Sequence, residues 1–236
     1  MRTIVVLNGK GGSGKSTIST NLAGYFANSG HLTVLKDCDP QGSSSAWLEQ
    51  RSSARAKIYG IVANRTHIHS TRVWQHRIPP KTDYVIVDSP AGVDLNRILD
   101  SLRFANKILI PVIPSPIDIR ASSLFIHELL KFMKIYRIKP EISVCVSRVT
   151  RKGPSYYALL RVFGNLGIKI SGCINESENY IRAAELSTSI HEMSSPSCEK
   201  DKLDWRSIVD WITGDEPISL DKNNSDDKKV SESALA

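Results

Sequence analysis

The residues with the clearest chemistry lie at positions 10–17, in the stretch KGGSGKST. Together with Gly9 they complete the spacing GxxxxGK[ST]. Glycines in this pattern let successive backbone N–H groups point at one anion, because they reach conformations closed to residues with a Cβ. An apolar run at 3–7 precedes the stretch, and apolar residues at helical spacing follow it. This strand, loop and helix context favours a phosphate-binding loop over a plain glycine-rich turn.

Within this loop, the motif assigns a role to each kind of residue. Lys15 is expected to reach the β and γ phosphates of a nucleotide, and the Ser16 hydroxyl is expected to hold Mg²⁺. The start of the following helix adds unpaired N–H groups and the positive end of its dipole. The predicted nucleotide-binding residues are Gly11, Gly12, Ser13, Gly14, Lys15, Ser16 and Thr17.

Acidic residues stand at the ends of two further predicted strands. Asp37 and Asp39 follow an apolar run in the sequence DCDPQG, and Asp88 ends the run YVIVD. The carboxyl ends of strands in an open parallel sheet face the crevice where ligands bind, so these acids should lie beside the loop. Asp88 matches a Walker B carboxylate that organises Mg²⁺. Asp37 and Asp39 predict a metal or water-positioning role, and the alternative is a turn or helix cap, which Asp-Pro also favours.

Segments of strand and helix character alternate through most of the chain, which predicts where these residues are placed. Predicted strands end at Leu7, Lys36, Ala63, Asp88, Val112, Val146 and Ile174. Predicted helices cover 16–28, a short stretch through Trp47 and Leu48, 96–105, 119–136, 156–166, 180–190 and 203–212. In the helix at 119–136, the residues expected to face the core are Leu124, Leu129, Leu130 and Met133. The alternation predicts an α/β fold with a mostly parallel central sheet covered by helices on both faces.

Composition limits the class of protein further. The chain has 236 residues and a net charge of +7, and no apolar run approaches the ~20 residues of a membrane span or forms a signal peptide. We therefore predict a cytoplasmic protein. Cys38, Cys145, Cys173 and Cys198 lack metal-ligand spacing and are expected to be reduced thiols. The histidines of one polar stretch, His67, His69 and His76, are expected to lie on the surface rather than bind a metal.

Charge is distributed unevenly along the chain. Residues 215–236 contain six acids and three lysines, a net charge of −3, so the remainder carries +10. This excess is compatible with a polyanionic partner, although scattered surface lysines are the simpler explanation. We predict a single P-loop ATPase domain at 1–214 and an acidic, disordered tail at 215–236.

Lys10 distinguishes this loop from ordinary phosphate loops. The motif KGGxGK[ST] resembles the deviant Walker A motif of the ParA/MinD family, and the resemblance extends to DxDPQG at 37–42 and to the Walker B strand. It covers most of residues 1–190. PVIPSPID at 111–118 is similar to the small plasmid-partition ParA proteins that lack an N-terminal helix-turn-helix domain, and this chain opens directly with its first predicted strand.

The resemblance implies a P-loop NTPase that uses ATP, ADP and Mg²⁺ and works as an ATP-dependent homodimer. In such a dimer Lys10 of each chain reaches the phosphates that the other chain holds, as an arginine finger does. Asp39 would position the attacking water. The implied catalytic residues are Lys10, Lys15 and Asp39, and the implied metal-site residues are Ser16, Asp88 and, indirectly, Asp37.

The resemblance also implies a function, namely partition of a plasmid or chromosome. Similar proteins bind DNA without sequence preference, associate with the nucleoid rather than the membrane, and are stimulated by a centromere-bound adaptor of the ParB class. The candidate DNA-binding residues are Arg148, Arg151, Lys152 and Arg161, with Lys131 and Lys134 behind them. This chain has Glu176 where many relatives have an arginine.

Three other functions fit parts of the pattern. A ParA-like ATPase can position a protein cargo such as carboxysomes or chemoreceptor clusters, and nothing within the chain separates this function from partition. A MinD-like membrane-associated regulator needs an amphipathic helix with bulky apolar residues, which KVSESALA at 229–236 does not offer. A metabolic enzyme such as a nitrogenase iron protein or a biotin-pathway ligase would need cluster-binding cysteines or a substrate pocket that the sequence does not reveal.

Overall fold

The computed structural model describes residues 1–62, 78–92 and 94–214. Within these ranges, seven parallel strands form one sheet in the order β3-β2-β4-β1-β5-β6-β7. The strands are β1 (Arg2–Val6), β2 (Thr33–Asp37), β3 (Ile58–Val62), β4 (Tyr84–Asp88), β5 (Lys107–Val112), β6 (Glu141–Val149) and β7 (Lys169–Asn175). His67, His69, His76 and the predicted tail at 215–236 lie outside the described residues.

Helices cover both faces of this sheet, as the alternation of segments predicted. The helices are α1 (Lys15–Asn28), α2 (Ser43–Glu49), α3 (Leu99–Arg103), α4 (Pro116–Tyr136), α5 (Pro154–Asn165), α6 (Glu178–Glu185), α7 (Glu199–Asp204) and α8 (Arg206–Thr213). On one face, Phe125 and Phe163 belong to a core that contains residues of α3, α4 and α5. On the other face, Phe26 and Trp205 belong to a core with residues of α1, α2 and α8. Because both faces are buried, the central strands are almost entirely apolar.

Some predicted boundaries were wrong. Helix α4 begins at Pro116, inside the proline-rich turn, because Ser115 accepts a hydrogen bond from the Asp118 backbone N–H at 3.2 Å and caps the helix. The predicted helix at 203–212 is interrupted at Trp205. The predicted helices at 96–105 and 180–190 shorten to α3 and α6, and a separate 3₁₀ turn covers Ile190–Glu192.

The prediction of which residues of α4 face the core was right for two of the four residues. Leu129 and Met133 are buried, but Leu124 is 60% exposed and Leu130 is 37% exposed. Phe125 and Ile126 take their places in the core, because the helix starts three residues earlier and its buried stripe is set by contact with β5 and α5. Among the residues that the structure describes, none of the helices combines the length and the apolar character that a membrane span requires.

Candidate nucleotide-binding site

The phosphate loop connects β1 to α1 with the backbone geometry that its glycines permit. Gly12 and Gly14 have φ of +76° and +96°, in the left-handed region. Gly14 is the N-cap of α1, and it lacks a side chain that could bond the first N–H groups of the helix. Those donors therefore face the space above the loop and can bind an anion.

Lys15 is buried at the base of this loop and is only 6% exposed. Its ammonium group donates a hydrogen bond to the backbone carbonyl of Lys10 at 3.0 Å. Burial lowers the pKa of Lys15, and the charges of Asp88 and Asp39 oppose this effect. A phosphate next to this ammonium group would replace a neutral partner with a charged one, which strengthens the hydrogen bond.

Two polar side chains hold the phosphate loop against the sheet, and neither was predicted from the sequence. Asn8, 1% exposed, donates from Nδ2 to the Pro111 carbonyl at 2.7 Å and accepts from the Lys10 N–H at 3.0 Å. The Ser147 hydroxyl, at the carboxyl end of β6, donates to the Ser13 carbonyl at 3.0 Å. Asn8 could have been identified from the sequence, because it is a polar residue directly after an apolar run, as the acids are at the ends of theirs.

Asp88 lies at the centre of the predicted metal site and is fully buried. Its carboxylate accepts hydrogen bonds from Ser19 at 3.2 Å and from Ser44, and Asp37 is its partner in the β2–β4 register. Burial raises the pKa of Asp88 to about 6, although hydrogen bonds from Ser44, Ser16 and Ser19 oppose this effect. A buried carboxylate next to hydroxyl groups and a second carboxylate is a set of oxygen donors that suits Mg²⁺.

Asp37 and Asp39 order the loop after β2. Asp37 accepts the Asp39 N–H at 2.9 Å, and its other oxygen accepts the backbone N–H and the hydroxyl of Ser45, both at 2.8 Å. The Asp39 carboxylate accepts the Gln41 N–H at 2.9 Å and is partly exposed. These contacts fit the turn alternative for both acids. The partly exposed carboxylate of Asp39 is also near enough to Lys15 for its charge to oppose the lowering of the Lys15 pKa.

Lys10, unlike Lys15, is partly exposed and pairs with a carboxylate. Its ammonium group lies 2.9 Å from the Asp118 carboxylate at the start of α4, and its side chain is 35% exposed. Burial alone would raise the pKa of Asp118, but hydrogen bonds from Ser115 and Lys10 and the charge of Lys10 lower it overall. The two lysines of the motif therefore occupy different environments, one inside the loop and one near the surface.

A cavity of about 420 Å³ lies next to the phosphate loop, between the carboxyl ends of β6 and β7 and helix α6. Gly14 and Thr17 connect it to the loop, and Ser147, Asn175 and Tyr180 contribute polar groups. Its volume is within the range of small-molecule sites. This cavity has no signal in the sequence, because its residues come from four separate segments and match no motif.

The candidate DNA-binding residues do not form one cluster. Arg148 lines the cavity next to the loop, and Arg151 and Lys152 follow at the same end of the sheet. Arg161 is exposed two turns further along α5. Lys131 and Lys134 are exposed near the opposite end of the sheet, where α4 ends.

Comparison with known proteins agrees with this geometry. Residues 4–190 match the family described as the CobQ/CobB/MinD/ParA nucleotide binding domain. The maintenance of carboxysome distribution protein A of Halothiobacillus neapolitanus is 29% identical over 170 residues, which cover 71% of this chain and 76% of that protein. The chromosome-partitioning ATPase Soj of Treponema pallidum is 38% identical over 96 residues, covering 40% of this chain and 34% of Soj.

Solved structures share the architecture at low sequence identity. A plasmid partition protein of Borrelia burgdorferi bound to AMPPNP superposes with a TM-score of 0.70 and 15% identity, covering 89% of this chain and 99% of that chain. Likeness at this identity shows the fold, which is the predicted P-loop NTPase fold with a mostly parallel sheet.

Proposed function

The chain belongs to the CobQ/CobB/MinD/ParA family of nucleotide-binding domains, and we propose that it is a ParA-type ATPase that partitions DNA. The observation that carries this proposal is the contrast between the two lysines of the loop. Lys15 is buried where phosphates would bind, and Lys10 is partly exposed beside it. A lysine that flanks its own phosphate loop but is partly exposed suits contact with a nucleotide held by a second copy of the chain.

The residues around the loop can each contribute to ATP hydrolysis. The N–H groups of residues 11–17 and the Lys15 ammonium group bind the β and γ phosphates of ATP or ADP. Ser16 and Asp88 would hold Mg²⁺, which would supply positive charge next to the transferring phosphoryl group. Asp39 orients the attacking water from its loop, and Asp37 acts on the metal region indirectly by holding that loop in place.

Two copies of the chain complete the site in this proposal. Lys10 leaves Asp118 and contacts the phosphates of the facing subunit, a type of contact worth about 10³ to 10⁵ in rate. Hydrolysis then removes the γ phosphate that both subunits share, so the homodimer dissociates. The cavity next to the loop is suited to the adenosine of the bound nucleotide.

We assign the dimer three further properties from this function. It binds DNA without sequence preference, through Arg148, Arg151, Lys152 and Arg161. It is cytoplasmic and associates with the nucleoid, without a membrane partner. A ParB-class adaptor stimulates its ATP hydrolysis. The similarity to the chromosome-partitioning ATPase Soj supports the partition function from which these assignments follow.

A second candidate is positioning of a protein cargo by the same ATP cycle. It is favoured by the similarity to the carboxysome distribution protein, which spans more of this chain than the similarity to Soj does. The two candidates share every residue of the ATP site and differ only in the adaptor. Loss of a plasmid or chromosome after deletion of the gene supports partition, and a misplaced protein assembly with normal DNA inheritance supports the second candidate.

The ATP cycle is tested by a matched pair of variants in one loop. Lys15→Ala should abolish nucleotide binding, whereas Lys10→Ala should bind ATP normally and lose hydrolysis by about 10³-fold or more. Equilibrium binding of a fluorescent ATP analogue and phosphate release, each with and without nonspecific duplex DNA, measure the two effects. Normal phosphate release by Lys10→Ala would contradict the role of Lys10 in the facing subunit.

A further inference from the structure

One edge of the sheet, formed by the amino ends of the strands, carries a group of basic side chains remote from the phosphate loop. We call Lys134, Arg137, Lys139 and Lys169 the basic edge. Lys134 lies near the end of α4, Arg137 and Lys139 lie in the connection to β6, and Lys169 opens β7. All four are exposed, and within residues 1–62, 78–92 and 94–214 none of them forms an ion pair.

Helix α8 ends beside this basic edge. Arg2, the first residue of β1, donates from Nη1 to the Ile212 carbonyl at 2.6 Å. The Trp211 ring lies 4.9 Å from the ammonium group of Lys107, which in turn lies 2.7 Å from Glu141, two residues after Lys139. Residue 214 is therefore placed at the amino edge of the sheet, close to the connection between α4 and β6.

The residues that follow position 214 carry the opposite charge. Between 215 and 227 there are five acids and one lysine, a net charge of −4, whereas 228–236 contains two lysines and one glutamate. Thirteen residues can span up to about 45 Å when extended. The acids are thus concentrated in the part of the segment that starts next to the basic edge.

We propose that residues 215–227 bind the basic edge of the same chain. Because the segment is attached at position 214, its acids have a high effective concentration at this surface. Several weak charge pairs are therefore enough to hold the segment on the basic edge. The other basic group, Arg148, Arg151 and Lys152, lies at the far end of β6, about 30 Å away for a strand of nine residues. Screening by salt weakens contacts of this kind, so the association is strongest at low ionic strength.

This contact also regulates binding of polyanions. The acids cover lysines and an arginine that would otherwise attract phosphate groups in addition to Arg148, Arg151, Lys152 and Arg161, so the segment lowers the total affinity of the protein for DNA. This consequence rests on the proposed function, whereas the contact itself does not. An adaptor or ligand that displaces residues 215–227 would expose the basic edge.

Zero-length carbodiimide cross-linking of the full chain tests the contact, because it joins carboxylates only to amines that touch them. Peptide mapping of the monomer band should show links from 215–227 to Lys134, Lys139 or Lys169, at least fivefold fewer in 0.5 M NaCl. Lys152 is exposed at the other end of the sheet and is the internal control. Links to Lys152 as frequent as those to the basic edge would overturn the proposal.

Two variants with opposite charge changes extend the test. In the first, D215N, E216Q, D221N, D226N and D227N are combined, which removes the negative charge of the segment and should raise affinity for a random-sequence duplex by about tenfold at low salt. In the second, K228Q and K229Q remove the two positive charges that directly follow the segment and should lower that affinity.

The DNA measurement separates this proposal from the proposed function. Specific cross-links together with no duplex binding by any variant would leave the contact established and contradict DNA binding. Equal duplex affinity of all variants, with wild-type affinity measurable, would overturn the regulatory part of the proposal.

Discussion

At the scale of single residues, the loop shows how neighbouring lysines acquire different tasks. Lys15 is enclosed by the loop and donates to a backbone carbonyl, whereas Lys10 reaches outward to Asp118. The difference follows from position, because Lys15 begins α1 while Lys10 precedes the two glycines of the turn. In the proposed cycle, the Lys10–Asp118 ion pair must break before Lys10 can contact the facing subunit.

Asp118→Asn should therefore favour dimerisation with ATP. The change removes a partly exposed ion pair worth at most about 1 kcal/mol, so the ATP concentration for half-maximal dimer formation should fall by up to about fivefold. Light scattering during an ATP titration measures this. Glu128→Gln, the same change of charge on the exposed face of α4, is the control. A higher ATP requirement for Asp118→Asn would show that the pair supports the active state instead.

At the scale of elements, α1 is held from the outer side by the segment around the 3₁₀ turn. Ser189 donates from its hydroxyl and its N–H to Glu192, and Glu192 forms a buried ion pair with Arg51 after α2. Asn21 on α1 accepts the Ile190 N–H at 2.8 Å. The helix that begins at the phosphate loop is thus linked to α2, which begins just after the Asp39 loop.

Gly24 and Gly164 offer a matched test of this packing. A Cβ on Gly24 of α1 would lie 2.3 Å from the Ser189 Cβ, whereas one on Gly164 of α5 would meet nothing within 4 Å. Gly24→Ala should lower the free energy of unfolding by about 1–3 kcal/mol through overpacking. Gly164→Ala should raise it by about 0.5–1 kcal/mol, because alanine favours a helix. Urea denaturation measures both, and stabilisation by Gly24→Ala would contradict the tight contact.

His191 in the same 3₁₀ turn makes stability depend on pH. Its ring contacts Tyr25 and Trp205, its Nε2 has no hydrogen-bond partner among the described residues, and burial lowers the pKa of His191 to about 4. As the pH falls, His191 of the unfolded chain takes up a proton near pH 6.5, before His191 of the folded chain does. The free energy of unfolding therefore decreases as the pH falls from about 6.5 toward 4. At pH 5 the decrease that is due to His191 is about 2 kcal/mol.

His191→Phe should remove that part of the pH dependence, because phenylalanine fits between the same aromatic rings without taking up a proton. Urea denaturation at pH 7 and pH 5 gives the change for each protein. An equally large decrease in the free energy of unfolding in wild type and variant would contradict the assignment to His191.

At the scale of the whole molecule, the proposed ATP site occupies the carboxyl edge of the sheet and the basic edge occupies the other. The phosphate loop, Asp39 and Asp88 come from the connections after β1 and β2 and from the end of β4, which are neighbours in the sheet. Partly exposed Lys10 at this edge suits the proposed facing subunit there. In the proposed cycle, the second subunit and a polyanion on the basic edge can therefore be bound at the same time.

Asp39→Ala should trap the proposed dimer. Without a carboxylate to orient water, hydrolysis should fall by about 100-fold while the buried Lys15 still binds ATP. Light scattering with ATP and Mg²⁺ should show a stable dimer, and Lys15→Ala should remain a monomer under the same conditions. A monomeric Asp39→Ala protein that binds ATP would contradict dimerisation through the nucleotide.

The sequence alone determined the loop, the acids at the strand ends, the family and the parallel sheet, because each depends on short-range pattern. Glycine spacing permits the loop, and apolar runs that end in polar residues mark buried strands that reach a ligand crevice. Only the tertiary structure showed that Asn8 and Ser147 anchor the loop, that Lys10 pairs with Asp118, and that Leu124 and Leu130 face outward. These features join residues far apart in the chain, so they depend on how strands and helices pack and not on local spacing.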